Sequence, residues 1–157
     1  MLDLYDEFHK VIRLLEEHEI AYALCGGLAM AVHGRPRATI DIDMLILSES
    51  LKKLLPLVAK LGYNIRGSDL SFAKGAIEIR RVSKIDSESG DLLSLDLLLV
   101  TPELLSVWES RTDASWEGGK LSVVSRSGLI SLKLLRASGQ DLDDIKALQD
   151  GGANAQG

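Results

Sequence analysis

What the sequence lacks excludes several classes of protein. Among its 157 residues there is one cysteine, Cys25, so neither an internal disulfide nor a cysteine zinc cluster is available. Aromatic residues make up only 4% of the chain, so the core has to be built from Leu, Ile, Val and Ala. The longest apolar run, from Leu92 to Val100, is interrupted by Asp96 and is far too short to cross a membrane.

An excess of basic residues is also missing. Asp and Glu number 23 against 18 Lys and Arg, which gives a net charge of -5, whereas binding bulk duplex DNA by charge alone favours a basic protein. The acidic N-terminus has neither the basic nor the apolar region of a signal peptide. We therefore expect a cytoplasmic protein with no membrane partner, folded as a single domain over residues 1–150 and followed by a flexible tail at 151–157.

The hydrophobic pattern predicts an α/β (α+β) fold with a mixed β-sheet flanked by helices and a short C-terminal helical segment. Helix-spaced and strand-type segments alternate along most of the chain. Helices are predicted at 3–19, 28–33, 49–61, 101–110, from Ser127, and at 141–148; strands are predicted at 20–25, 39–47, 63–65, 70–73, 76–82 and 92–100, with a hairpin around 117–119.

The sharpest chemical signal is an Asp-x-Asp pair in a predicted strand. Residues two apart share a face of a strand, so Thr39, Asp41 and Asp43 point the same way. Two neighbouring carboxylates on a largely buried strand repel each other, and a divalent cation such as Mg²⁺ relieves that repulsion. The alternative is an exposed strand end with two solvated aspartates.

A glycine pair, Gly26 and Gly27, comes just before a predicted short helix. Backbone N–H groups at a helix start, with no side chains in the way, can hold an anion. For a glycine pair taken alone, an ordinary tight turn between strand and helix is the simpler explanation. The lysine and hydroxyl residues of a P-loop are absent after it.

Further charged residues fall close to these motifs or within apolar segments. Asp96 interrupts a very apolar strand, so it either joins the carboxylate pair or forms an ion pair with an arginine such as Arg80 or Arg81. Lys133, on a leucine-rich helix, either extends its ammonium to solvent or reaches a phosphate. Arg35 and Arg37 lie between the glycine pair and the Asp-x-Asp strand.

Together these residues suit a nucleoside triphosphate with two Mg²⁺ ions. Asp41 and Asp43 would hold the ions and Asp96 would share one, so that the α-phosphate is polarised for in-line attack. Asp96 could also take the proton from the attacking hydroxyl. The predicted reaction is nucleotidyl transfer with pyrophosphate as the leaving group.

The segment from Leu24 to Asp43 resembles the minimal nucleotidyltransferases of the DNA-polymerase-beta-like superfamily. It carries their glycine pair opening a helix, His33-Gly34, Arg37-x-Thr39 and Asp-x-Asp on a strand. In that family the glycine pair holds the triphosphate, the two aspartates bind two Mg²⁺ ions and a third acid comes from a later strand. The resemblance, which extends to about Leu148, thus assigns nucleotide binding to Gly26, Gly27, Arg35, Arg37 and Thr39, and catalysis and metal binding to Asp41, Asp43 and Asp96.

The segment from Leu132 to Ile145 is similar to the lysine-plus-aspartate segment of the AbiEii-type branch, known from bacterial toxin–antitoxin systems. This similarity implies that Lys133 is a phosphate ligand, and it matches Asp141 and Asp144 to the branch's acidic positions. It also implies a possible antitoxin partner, with a homodimer as another option. The acceptor, whether RNA, protein or small molecule, is not named by the sequence.

Two other functions remain in view. A non-catalytic relative could keep the nucleotide-binding fold as a regulatory or antitoxin-like partner. A haloacid-dehalogenase-type phosphatase also uses Asp-x-Asp after a strand, but it needs a hydroxyl residue where this chain has Leu45.

The remaining candidates have structural interpretations. Cys25 is expected to be a small buried hydrophobe and His33 to bond a carbonyl at the helix end. The basic residues Arg80, Arg81 and Lys84 are expected on a solvated strand edge, and Trp108 and Trp116 in packing.

Overall fold

A mixed β-sheet organises the chain. The computed structural model describes residues 2–34, 41–116, 119–136 and 139–154, with backbone alone at 139–142 and 151–154. Within these residues eight strands form one sheet. They are β1 (Tyr22–Cys25), β2 (Asp41–Ile46), β3 (Ile65–Arg66), β4 (Leu70–Phe72), β5 (Ile77–Ile85), β6 (Leu92–Leu99), β7 (Thr112–Trp116) and β8 (Gly119–Val123).

The strand order is β3-β5-β6-β2-β1-β8-β7, and β4 also pairs with β5. Strand β2 runs parallel to β6 and antiparallel to β1, so the sheet is mixed, as the sequence predicts. Strands β7 and β8 form the hairpin expected around residues 117–119.

Six helices are described: α1 (Leu4–Glu17), α2 (Gly26–Val32), α3 (Leu51–Lys60), α4 (Leu105–Glu109), α5 (Arg126–Arg136) and α6 (Gly139–Asn154). Helix α1 begins where the Asp3 side chain accepts the backbone N–H groups of Tyr5 and Asp6, at 2.9 and 3.1 Å. Its apolar residues recur at helical spacing and are buried in the core: Phe8, Val11, Ile12 and Leu15.

The two faces of the sheet differ in polarity at its centre. In β2, Ile42, Met44 and Ile46 point to one face and are completely buried. Asp41 and Asp43 point to the opposite face, which we call the acidic face, and both are partly exposed. This alternation is the one that the Asp-x-Asp pattern predicts.

Local side-chain contacts fix where several helices begin. The Thr101 hydroxyl donates to the Ala76 carbonyl at 2.6 Å, and a 3₁₀ turn (Pro102–Leu104) precedes α4. Ser125, not Ser127, caps α5, because its hydroxyl accepts the Gly128 N–H at 3.0 Å. Helix α3 continues through Pro56.

The last helix also differs in length. Helix α6 runs to Asn154, past the predicted end at Leu148. It therefore includes the first residues of the segment that the sequence assigns to a tail. The flexibility of that tail stays a prediction.

Candidate active site

A row of four side chains crosses the acidic face on four neighbouring strands. Strand register pairs Cys25 of β1 with Asp43 of β2, Asp43 with Asp96 of β6, and Asp96 with Arg81 of β5. Directly paired residues share a face, and neighbouring strands lie about 4.8 Å apart. Asp43 and Asp96 are therefore side by side, on the same face as Asp41.

The Asp43 carboxyl is strongly perturbed by this arrangement. Burial, followed by the negative charges of Asp96 and Asp41, raises its pKa from 3.8 to about 7. The positive charges of Arg136 and Lys133 act in the opposite direction but do not cancel the effect. A carboxyl group that loses its proton only near neutral pH marks a place where negative charge is crowded.

Asp96 is buried and forms an ion pair. Arg81 donates from Nε to Oδ1 at 2.7 Å and from Nη2 to Oδ2 at 2.9 Å, so both carboxylate oxygens are engaged. The sequence leaves two alternatives open for Asp96, and the structure contains features of each. Asp96 lies beside Asp43, and it also forms an ion pair with an arginine.

Gly26 fits closely against Asp43. Its φ of +72° is in the left-handed region, and a Cβ at this position would overlap the Asp43 carboxylate. The first glycine of the pair is thus required both by its backbone conformation and by the space that the carboxylate fills. Gly27 follows it in the first turn of α2 and is buried.

Helix α5 brings positive charge to the acidic face. Lys133 is buried, and its Nζ lies 3.0 Å from Oδ2 of Asp144 on α6, whose side chain is equally buried. The ammonium does not extend to solvent, so that interpretation is wrong. The positive charges of Arg136 and Lys133 both act to lower the pKa of Asp43.

Three of the predicted nucleotide-binding residues, Arg35, Arg37 and Thr39, lie outside the described residues, as does the side chain of Asp141. The structure brings Asp41, Asp43 and Asp96 to one face with Gly26 against them. Across the described ranges, no group of three or more His, Cys, Asp or Glu side chains is arranged to hold a metal ion. On the acidic face, Arg81 occupies the oxygens that the third carboxylate would offer.

Arg136 is the residue that sequence reasoning missed. It lies at the end of α5, where its guanidinium is 5.9 Å from the ring centre of Phe72 on β4, and it acts on Asp43. The only sequence signal for Arg136 is its spacing from Lys133. It follows that lysine by three residues, or about one helical turn, so both lie on one side of the helix.

The structural interpretations mostly hold. Cys25 is buried, and burial raises the pKa of its thiol well above the usual value, which suits a packing role. His33 Nε2 lies 2.9 Å from the carbonyl oxygen of Val124. Trp108 is buried, and Trp116 packs its ring edge-to-face on Phe8, with ring centres 5.3 Å apart.

The basic run on β5 is not a solvated edge. Arg80 contacts Glu78 at 3.3 Å, Arg81 pairs with Asp96, and Lys84 contacts Glu7 at 2.7 Å. Each cation is therefore neutralised by an acid of the same chain. The expectation of a solvated strand edge is wrong because β5 pairs with β6 on one side and with β3 and β4 on the other.

Comparison of the fold with solved structures identifies its class. The described mixed sheet and helices form the fold of the nucleotidyltransferases, as three similar structures show. No protein-family model and no curated protein sequence matches the chain.

The similar structures are distant in sequence. One is TM1012 of Thermotoga maritima, provisionally assigned as a nucleotidyltransferase, with 14% identity over 91% of this chain and 90% of that chain at a TM-score of 0.63. Another is the lincosamide antibiotic adenylyltransferase LnuA with lincomycin bound, with 19% identity over 92% and 95% of the chains at a TM-score of 0.60. A third is ANT(2'')-Ia in complex with adenylyl-2''-tobramycin, with 15% identity over 90% and 84% at a TM-score of 0.60.

One further property concerns membranes. Of the helices that the structure describes, none is both long and apolar enough to cross a bilayer.

Proposed function

We propose that the chain is a Mg²⁺-dependent nucleotidyltransferase that moves a nucleoside monophosphate from a nucleoside triphosphate to an acceptor hydroxyl. The observation that carries the proposal is the pairing of Asp43 with Asp96 on adjacent strands, with Asp41 on the same face. A bound cation would relieve the repulsion between these neighbouring carboxylates. The fold shared with nucleotidyltransferases supports a nucleotide substrate.

The carboxylates suit magnesium in their chemistry. Hard oxygen ligands are those that Mg²⁺ prefers, and it commonly uses one or two carboxylates together with waters and substrate phosphates. In the proposal Asp41 and Asp43 hold two Mg²⁺ ions, and Asp96 shares one of them. Bound magnesium would neutralise the triphosphate and polarise its α-phosphate.

The other residues of the proposal bind and orient the nucleotide. Gly26 and Gly27 would offer a phosphate the backbone N–H groups at the start of α2, in the role that the family resemblance implies. Lys133 supplies positive charge from α5, held in place by Asp144. Arg35, Arg37 and Thr39 keep the nucleotide-binding roles that the family resemblance implies.

The chemical step forms a bond between the acceptor oxygen and the α-phosphorus and breaks the bond from that phosphorus to the bridging oxygen of pyrophosphate. Asp96 takes the proton of the acceptor hydroxyl. Because Asp96 accepts two hydrogen bonds from Arg81 in the described state, this role requires at least one of its oxygens to be freed.

A small hydroxyl-bearing molecule is the first acceptor to test. LnuA holds lincomycin, and ANT(2'')-Ia holds an adenylylated tobramycin. This chain covers 95% of LnuA, so it is of comparable length. RNA and protein acceptors remain the other classes, and membership of the AbiEii-type branch, a toxin role and an antitoxin or homodimer partner rest on the C-terminal sequence similarity alone.

A non-catalytic role is the second candidate, and the Arg81–Asp96 pair favours it. An arginine that permanently neutralised the third acid would remove it from catalysis. Such a protein would use the acidic face for regulation or partner binding, without turnover.

Transfer of label separates these functions. The purified protein is incubated with each α-labelled nucleoside triphosphate, Mg²⁺ and mixed hydroxyl-bearing acceptors, and the labelled product is identified. We expect Mg²⁺-dependent transfer that Asp43→Asn reduces at least a hundredfold. Asp91→Asn, the same substitution at an exposed site outside the acidic face, should leave transfer unchanged. Full transfer by the Asp43 variant would overturn the proposal.

A further inference from the structure

Arg81 lies against the third carboxylate, Asp96. Its guanidinium engages both oxygens of Asp96 through two short, parallel hydrogen bonds. The arginine side chain is 39% exposed, whereas that of Asp96 is 6% exposed. The pair therefore has one anchored partner, the aspartate, and one partner that can move into solvent.

The neighbourhood shapes this position of Arg81. The backbone N–H of Gly67 donates to the Arg81 carbonyl at 2.9 Å. A Cβ at Gly67 would come within 3.3 Å of both Cβ and Cγ of Arg81, so the absence of a side chain there leaves room for the arginine stem. Gly67 therefore leaves space for the arginine stem, whose charged end reaches Asp96.

A buried carboxylate needs a positive partner, and only one can use a given oxygen lone pair. Arg81 uses one lone pair on each oxygen of Asp96 and places its positive charge against the carboxylate, where it repels a divalent cation. The neighbouring Asp43 carboxylate is repelled by the negative charges of Asp96 and Asp41. Arginine and a divalent cation therefore compete for the same carboxylate.

We propose that Arg81 is a positioning residue that occupies Asp96 as an internal counter-ion and yields it to a divalent cation, so that Arg81 sets the cation affinity of the site. This inference rests on the proposed function. The ion pair keeps the buried acid neutralised when no nucleotide is present. Cation binding then completes the set of three carboxylates, and the released guanidinium can turn toward the negative charge of the bound triphosphate.

Binding of Mn²⁺ alone tests this competition without any turnover. Free Mn²⁺ is titrated by electron paramagnetic resonance for the wild type, Arg81→Gln and Arg80→Gln at one pH and ionic strength. We expect Arg81→Gln to bind Mn²⁺ at least tenfold more tightly. Arg80→Gln removes the same charge from the opposite face of the same strand and should change the affinity less than twofold.

A second measurement separates competition from a purely structural role. Loss of the ion pair should lower the melting temperature of Arg81→Gln without metal, and Mn²⁺ should raise it more than it raises that of the wild type. If Arg81→Gln does not fold, Arg81→Lys keeps a charge but cannot bond both oxygens at once. That variant should then bind Mn²⁺ more tightly than the wild type, although by a smaller factor.

The outcomes distinguish this inference from the proposed function. Equal or weaker Mn²⁺ binding by Arg81→Gln, with binding still abolished by Asp43→Asn, would overturn the role of Arg81 alone. Binding that Asp43→Asn leaves intact would instead contradict the metal site of the proposed function. Absence of Mn²⁺ binding in both the wild type and Arg81→Gln would overturn both.

Discussion

At the scale of single residues, the Asp43 carboxyl lies between other acids and a glycine. Its pKa is about 7 in the folded protein, against an ordinary value of 3.8 in the unfolded chain. Between these pH values the folded state keeps a proton that the unfolded chain has released. Stability therefore falls as the pH rises from about 4 to 7, and the loss persists above that range.

Asp43→Asn should remove this penalty. The amide is uncharged at every pH, so we expect the variant to be more stable than the wild type at pH 8, by on the order of 1–4 kcal/mol. The gain should shrink toward zero as the pH falls below 3.8, where Asp43 is protonated in both states. Thermal unfolding followed by circular dichroism across this range measures the effect, with Asp91→Asn as the control. A gain in stability that is the same at all pH values would show that the raised pKa of Asp43 is not its cause.

Gly26 offers a second prediction at this scale. Gly26→Ala adds strain at positive φ and an overlap with Asp43, whereas Gly34→Ala, at a φ of +78° with nothing within 4 Å, adds the strain alone. We expect the Gly34 variant to lose about 1 kcal/mol and the Gly26 variant clearly more.

Urea unfolding gives both free energies. Removing the carboxylate in Gly26→Ala/Asp43→Ala should recover only part of the difference between the two glycine variants, because the Cβ of residue 43 stays 2.8 Å from the added Cβ. Equal losses at Gly26 and Gly34 would show that contact with Asp43 does not matter.

At the scale of helices and strands, sequence periodicity predicts most elements because apolar spacing is a local property. Strand β2 and helix α1 are examples, with their buried faces as expected. The wrong predictions are those that had to choose between two similar capping residues at a helix start. Ser125 and Ser127 both suit a helix start, and only the path of the chain decides that Ser125 caps α5.

Buried ion pairs between elements were missed for a different reason. Glu7 of α1 is buried on the face opposite the acidic one, with Lys84 of β5 at 2.7 Å, Lys10 at 3.0 Å and the Tyr63 hydroxyl at 3.2 Å. Although burial raises the pKa of Glu7, hydrogen bonds from Lys84 and Lys10 leave it below its ordinary value. Glu7 and Lys84 are 77 positions apart, so no local pattern signals their contact.

Glu7→Gln should loosen the attachment of α1 to β5. Removing one partner leaves Lys84 without its carboxylate, and we expect a loss of roughly 2–4 kcal/mol at pH 7, measured by urea unfolding. Because the folded pKa of Glu7 is lowered, its contribution is present above the ordinary pKa and is lost as the pH falls. The control, Lys10→Gln, removes an exposed partner and should cost less than about 1 kcal/mol. Similar losses in the two variants would contradict a buried pair.

At the scale of the whole molecule, topology assembles the acidic face. The Asp-x-Asp strand and the Asp96 strand are each readable from the sequence. In the sheet these two strands are parallel neighbours, with Asp43 and Asp96 in register. In the sequence three other strands lie between them, and the fold has to place all three outside this pair. The pairing of Arg81 with Asp96 follows from the same strand order, which is why the sequence left that alternative open.

The central claim is that this face binds a nucleoside triphosphate through magnesium. Calorimetric titration with an α,β-methylene triphosphate analogue, which resists transfer, tests it most directly. We predict binding by the wild type that requires Mg²⁺ and is weakened at least tenfold by Asp43→Asn but not by Asp91→Asn. Binding that is indifferent to both Mg²⁺ and Asp43, or no binding at all, would contradict the account.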